Sequence, residues 1–386
     1  MMSQPEQGAA AVPEAVVRFC SIAEPYAPDA QYDGMFIEAM QAITEWHIQR
    51  SPWYREFARL NAIVPDKLTS MDKLIAMPPV HANFFKAHEI RSITQDEVVA
   101  HMTSSGTTGQ KSQMFMDTFT FEQTRQMVRW AMSARGVMSD QACHYLVNAY
   151  EPFEGIKVGT SRTNQFLMQF APVAEQCWTL RHIGGGEHQF DVFGAMAALQ
   201  AWSQGDTPVR IIGFPAFLHF ILQRMRDLGV GDLRLPKGSL VIFGGGWKGH
   251  ADQAISREQL HANIQTQLGM AADRIVETFG SVEHSIPYIA SARQRLHQPT
   301  WSRVVVRDVK TLQPVADGQP GFLSFISPYI TSAPAHSVVM GDMAVRYAPN
   351  PLLEPDEPPT PWFEVLGRAG VSANKSCAAA AAELLK

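Results

Sequence analysis

Cysteine is scarce and scattered in this chain: Cys20, Cys143, Cys177 and Cys377 stand far apart, and no CxxC pair occurs. That spacing excludes a disulfide framework or a structural zinc cluster, and it suits reduced thiols in a cytoplasmic setting. Charge is sparse too. Asp, Glu, Lys and Arg make up 18% of the residues, below the usual level of about a quarter, so a large buried core is expected. The net charge is −5 and no basic run occurs. A nucleic-acid partner, which needs a positive footprint, is therefore excluded. No uncharged apolar stretch is long enough to span a bilayer. Met1 to Pro13 contains Glu6 and lacks a basic start followed by an apolar run, which speaks against a signal peptide. No repeat of solenoid period is visible.

What is present reads as an α/β protein. Residues 1–15 are small and polar with proline, and form a loose tail. Residues 16–60 read as helical: Phe36, Met40, Ile43 and Trp46 fall at helical spacing until Ser51-Pro52 breaks the pattern. A second helix is expected over 119–138. From about 142, short apolar runs (His144–Asn148, Val209–Ile212, Leu240–Phe243, Arg274–Thr278) alternate with helical stretches near 191–203, 215–228 and 251–268. Strand, loop, helix, strand is the pattern of layered, mostly parallel sheets, whose ligands bind at the carboxyl ends of the strands. Arg303–Val309, Gly321–Ser327 and Met343–Tyr347 suggest a small antiparallel β unit within 303–348. The main domain is thus expected over 16–348. Residues 349–361 carry six prolines and read as a linker or a stiff loop. A hinge and a short C-terminal tail complete 349–386, with the alanine run of 376–386 forming a terminal helix.

The sharpest motif is Thr103-Ser104-Ser105-Gly106-Thr107-Thr108-Gly109-Gln110-Lys111-Ser112. Glycines let backbone N–H groups approach an anion, hydroxyls add donors, and Lys111 adds charge, the mixture a triphosphate requires. It is not a Walker A loop, because Gln110 stands where that motif needs its second glycine. Gly244, Gly245 and Gly246 follow the run Leu240–Phe243 and permit close approach to a nucleotide. Lys248 just beyond is a candidate phosphate contact.

These segments resemble the phosphate-binding and strand-end signatures of adenylate-forming enzymes, the superfamily of acyl-CoA synthetases and luciferases. More narrowly, Ser104–Ser112 and Phe243-Gly244-Gly245-Gly246-Trp247-Lys248 resemble the LuxE-type acyl-protein synthetases, over roughly residues 80 to 386. The resemblance implies ATP and Mg²⁺ as cofactors and a carboxylic acid, fatty or aromatic, as substrate. It implies roles for Glu277-Thr278-Phe279-Gly280-Ser281-Val282-Glu283: Phe279 stacking on adenine, with Gly280 beside it, and Glu283 holding the metal. By the same resemblance Asp342 binds the ribose hydroxyls, and Gly367-Arg368 marks the hinge, with Arg368 reaching ribose or phosphate. An acyl-CoA reductase-like or acyl-carrier protein is the implied partner.

The resemblance also shows a gap. Related ligases continue into a small domain carrying a lysine that serves adenylation, whereas here only residues 369–386 follow Arg368. That small domain is largely absent, and Lys375 is the lysine nearest the hinge. Cys377 is placed like the C-terminal cysteine on which LuxE-type synthetases carry the acyl group. Lys375 or the N-terminus of the alanine helix would lower its thiol pKa. The expected activity is therefore ATP-dependent formation of an acyl-adenylate and acyl transfer to a thiol. Two rivals are an acyl-CoA ligase using an external thiol and a non-catalytic nucleotide-binding subunit of a reductase complex. Tyr145–Phe153, Phe214–Phe220 and residues 164–170 are candidate acyl-pocket lining. His144, His182 and His219 are read as structural.

Overall fold

The computed structural model describes residues 11–103, 112–153, 164–247, 250–352 and 354–368. The first layer is helical: α1 (Glu14–Cys20), α2 (Asp29–Arg50), α3 (Pro52–Leu60) and α4 (Met71–Ala76). On α2, Phe36, Met40, Ile43 and His47 recur every three or four residues and form its buried face. Ser51-Pro52 does end this helix, and it also begins the next. The Ser51 hydroxyl accepts from the Tyr54 N–H at 3.3 Å, and Pro52 occupies the first turn of α3, where its missing N–H costs nothing.

Next come β1 (Val80–His81), α5 (Phe84–Ala87), β2 (Ala100–Thr103), β3 (Gln113–Met116) and α6 (Thr118–Ala134). Asp117 caps α6 by accepting from the Thr120 N–H at 2.8 Å. The alternating region follows as β4 (Cys143–Tyr150), β5 (Val173–Gly184), β6 (Glu187–Phe190), α7 (Val192–Trp202), β7 (Val209–Gly213), α8 (Pro215–Asp227), β8 (Leu240–Gly244), α9 (Arg257–Leu268) and β9 (Ile275–Phe279). The expected helix over 251–268 begins instead at Arg257, where the Ser256 hydroxyl accepts from the Gln259 N–H. The chain closes with β10 (Tyr288–Ile289), β11 (Leu296–His297), β12 (Arg303–Arg307), β13 (Pro320–Ile326), β14 (Ser337–Tyr347) and β15 (Trp362–Arg368).

Two large sheets result. One has the order β10-β9-β8-β7-β4-β5-β6, with β9, β8, β7, β4 and β5 parallel and an antiparallel strand at each edge. Its central strands are continuous apolar runs because helices and the second sheet bury both faces. The second sheet runs β11-β15-β14-β13-β12, with β1 pairing parallel to β14. It is larger than the β unit expected over 303–348, since β1, β11 and β15 join it. Its strand β14 starts at Ser337 rather than Met343 because Ser337–Val339 pair with β13 and β1.

An aromatic seam joins the sheets. Phe279 and Tyr288 from the first pack against Phe325 and Phe363 from the second, with ring centroids 4.9–6.3 Å apart. The proline-rich stretch is fastened to the rest of the fold. Glu354 pairs with Arg293 and Arg295, and Gln298 N–H donates to the Pro361 carbonyl at 2.7 Å. No helix among the described residues is long and apolar enough to cross a membrane.

Three histidines are sealed in this core. His47 stacks on His336 at 4.8 Å, and His284 stacks on Phe325 at 4.5 Å. Burial pushes His284 and His336 from 6.5 down to about 3 and lowers His47 as well. Each is therefore neutral in the fold but takes up a proton in the unfolded chain below pH 6.5. Stability conferred by these groups is complete above that pH and lost as pH falls toward the folded values. Denaturant titrations should show stability falling below pH 6.5 by about 1.4 kcal/mol per pH unit for each such histidine, and His336→Gln should make the decline shallower. A flat profile from pH 6.5 to pH 5 would exclude the assignment.

Candidate active site

The carboxyl edge of the parallel sheet meets the second sheet where Gly244–Gly246, Phe279, Glu283, Asp342 and Arg368 lie. β8 ends in Gly244, whose neighbour in register is Thr278 of β9. The Thr278 hydroxyl donates to the Phe243 carbonyl at 2.8 Å, and a Cβ on Gly244 would stand 3.4 Å from that hydroxyl. Gly245 adopts φ +79°, a conformation that favours glycine, and both Gly245 and Gly246 are exposed at the edge. At the end of β9, Phe279 is half-buried and lies edge-on to Phe363 at 5.9 Å. Gly280 is exposed next to it.

Just past β9, Glu283 is 4% exposed. Among the described residues no side chain hydrogen-bonds or ion-pairs with its carboxylate. Across from it on β14 lies Asp342, whose partner in register on β15 is Arg368. A bulge shapes this pairing. Met343 opposes Gly367 but Ala344 opposes Val365, leaving Leu366 as the extra residue, and Gly367 takes φ +142°. Burial raises the Asp342 carboxyl above its ordinary range. The Glu283 charge pushes the same way, and Arg368 and Lys86 oppose it. Glu283, Asp342 and Arg368, far apart in sequence, are thus within electrostatic reach of one another.

Lys86, which the sequence reading passed over, belongs to this group. It sits on α5 directly after β1, which pairs Val80 with Val338 and His81 with Val339 on the strand that leads to Asp342. No nucleotide motif marks it, and only the long-range β1–β14 pairing brings it here.

The Ser104, Ser105, Gly106, Thr107, Thr108, Gly109 and Lys111 motif lies outside the described residues, as do Lys248, Lys375 and Cys377. The motif's two ends are described. Thr103 pairs with Gln113, so the segment connects the strands of the β2–β3 hairpin, and α5 packs against β3.

Beside Gly244–Gly246 stands an aromatic wall. Phe217 lies 5.2 Å from Phe190 and 6.2 Å from Phe214, His250 lies 5.1 Å from Phe220, and His219 faces Trp247 at 5.4 Å. From the other expected lining, Phe153 stacks on His182 at 4.1 Å, and Phe166 packs against Phe170. His144 stacks on Trp202 at 4.9 Å, away from this edge near the start of β4.

The donor set fits a hard divalent cation in one specific way. A buried carboxylate without a described cationic partner, next to a second carboxylate, suits Mg²⁺ that takes its remaining ligands from phosphate and water. Among the described residues no cluster of three or more His, Cys, Asp or Glu could hold a metal unaided.

The architecture is that of the adenylate-forming ligases. A 2-hydroxyisobutyryl-CoA ligase, solved in an open conformation with 2-HIB-AMP and CoA, superposes with a TM-score of 0.64 at 12% identity, covering 97% of this chain and 83% of that one. The same ligase in its thioesterification state gives a TM-score of 0.64 at 14% identity, over 89% and 69%. The chain belongs to the family described as acyl-protein synthetase, LuxE, which matches residues 23–386. It is similar to the long-chain-fatty-acid–luciferin-component ligases of Aliivibrio fischeri, at 25% identity over 346 residues (88% of this chain, 86% of that protein), and of Vibrio harveyi, at 24% over 338 residues (86% and 84%).

The strand that carries Arg368 is anchored by a buried clasp. Glu357 accepts from the Ser291 hydroxyl at 2.7 Å and from His297 Nε2–H at 2.8 Å, while His297 Nδ1 lies 3.1 Å from the Thr360 carbonyl. Burial lowers the pKa of the imidazole, while the Glu357 carboxylate and the Thr360 carbonyl oppose that shift. Glu357→Ala would leave two buried polar groups unpaired and should lower stability by about 2–4 kcal/mol, read from the shift of a chemical denaturation curve. A shift of a few tenths would show that the clasp is dispensable.

Proposed function

We propose that this chain activates a long-chain fatty acid with ATP and transfers the acyl group to a thiol, Cys377, for delivery to an acyl-CoA reductase-like or acyl-carrier partner. The observation that carries the reading is the convergence of Glu283, Asp342 and Arg368 at the carboxyl edge of the sheet, beside the hairpin bearing the Ser104–Lys111 loop.

In the first half-reaction a carboxylate oxygen of the acid attacks the α-phosphorus of ATP. The bond to pyrophosphate breaks, and pyrophosphate leaves with the electron pair. Little covalent work falls to the protein in such a step, which depends on alignment and on neutralising charge. The Asp342 carboxylate is suited to accept hydrogen bonds from the ribose hydroxyls, with Arg368 opposite to hold it ionised and to meet ribose or phosphate. Phe279 offers a flat face to adenine, and Gly244 with the exposed Gly245, Gly246 and Gly280 leaves room for the nucleotide. The backbone N–H groups and hydroxyls of Ser104, Ser105, Gly106, Thr107, Thr108 and Gly109, with Lys111, are suited to the phosphates. Glu283 would hold Mg²⁺, which supplies charge neutralisation on the phosphate oxygens. The wall of Phe190, Phe214, Phe217 and Phe220 suits an alkyl chain.

In the second half-reaction a thiolate attacks the acyl carbon, the bond to the AMP oxygen breaks, and a thioester remains. Lys375, two residues from Cys377, would favour the thiolate.

ATP–pyrophosphate exchange measured with a panel of acids tests the first step, and long-chain acids should stimulate it most. Mass spectrometry of the intact protein should then show an acyl adduct, labile to hydroxylamine, at Cys377. In Cys377→Ala exchange should persist and the adduct should vanish. Absence of exchange with every acid would favour a nucleotide-binding subunit without catalysis. Full-rate thioester formation on CoA by Cys377→Ala would favour a ligase that uses an external thiol.

A further inference from the structure

We infer that Lys86 is a phosphate-binding residue of the adenylation site, acting on the triphosphate of ATP rather than on the acyl-transfer step. The inference rests on the reading of this edge as an ATP site and assigns it a cation from the N-terminal part of the chain.

Topology fixes the placement. Val80 and His81 add to β14 as a parallel strand, and the Ala82 N–H continues the ladder by donating to the Val339 carbonyl at 2.9 Å. The chain then turns into α5. Phe85 is buried as its anchor, and Lys86 stands half-buried beside the stretch of β14 that leads to Asp342. On its other side α5 packs against β3, one arm of the hairpin that carries the glycine- and hydroxyl-rich loop. Lys86 therefore lies between the aspartate placed to hold the ribose and the hairpin placed to hold the phosphates.

Charge supports the same role. Two carboxylates, Glu283 and Asp342, face this edge, and a triphosphate would bring several more negative charges. The cations that act on Asp342 are Arg368 and Lys86. Among the described residues the Lys86 ammonium has no ion-pair partner within bonding distance. Its charge also reaches His81, whose pKa is lowered first by burial and then by Lys86. A lysine fixed by a β-ladder and an anchored helical turn, with no carboxylate bonded to it among the described residues, is poised for an anion that arrives with the ligand.

The test separates the half-reactions in the full-length protein. Lys86→Met should slow acid-dependent ATP–pyrophosphate exchange by roughly 30-fold or more, the loss expected for a hydrogen bond to a charged group. Transfer from chemically supplied acyl-AMP to thiol, which involves no pyrophosphate, should stay within about threefold of the parent protein. Lys86→Arg, which keeps the charge, should retain most of the exchange and guards against a folding artefact. Unchanged exchange in Lys86→Met overturns the inference. So does an equal fall in both half-reactions, or a loss in Lys86→Arg as large as in Lys86→Met. If the parent protein itself shows no exchange with any acid, the ATP-site reading fails and the inference falls with it, an outcome distinct from exchange that merely ignores Lys86.

Discussion

The pairing of β14 with β15 is the constraint on which this site depends. It sets Asp342 against Arg368 across a bulge that Gly367 makes possible with φ +142°. An aspartate that is largely removed from water and near a second acid would otherwise take up a proton and cease to be a strong acceptor. The facing guanidinium and Lys86 counter that tendency. Everything that stiffens β15 therefore serves the site: the Glu357 clasp, the Glu354 ion pairs with Arg293 and Arg295, and the contact of Phe363 with Phe279 and Tyr288.

Much of this was legible in the chain. The central strands β4, β7, β8 and β9 are short apolar runs bounded by Gly, Pro or polar residues, and burial on both faces writes that pattern directly. Phe279, Glu283 and Asp342 were singled out through the resemblance to adenylate-forming enzymes, and the fold sets Glu283 and Asp342 within electrostatic reach of each other. Less legible were elements whose existence depends on distant partners. β5 spans Val173–Gly184 yet much of it is exposed, so its composition lacks an apolar run. β1 has two residues and exists only because β14 accepts it. β15 begins straight after a proline-rich stretch that suggests a linker or a stiff loop, and local composition says nothing of Glu354 and Glu357, which fasten it. Lys86 went unnoticed for the same reason: a lysine in Phe84-Phe85-Lys86-Ala87 carries no signature until the fold sets it beside Asp342.

The division of labour between the sheets is also physical. The parallel sheet offers a row of strand ends and glycine turns, which provide backbone groups and space but little fixed charge. The antiparallel sheet contributes Asp342 and Arg368, and its accessory strand β1 leads to Lys86. Neither sheet makes a site alone, and the aromatic seam of Phe279, Tyr288, Phe325 and Phe363 holds them in one geometry. The chain belongs to the LuxE acyl-protein synthetase family and shares its architecture with a 2-hydroxyisobutyryl-CoA ligase.

The most direct test is a crystal structure with a non-hydrolysable acyl-adenylate mimic, an acyl-sulfamoyl adenosine in which a sulfamate stands in for the phosphate. The account predicts the ribose hydroxyls on the Asp342 carboxylate, adenine against Phe279, and the acyl chain along Phe214 and Phe217. A nucleotide bound anywhere but at the junction of the two sheets, or a ribose out of reach of Asp342, would contradict it.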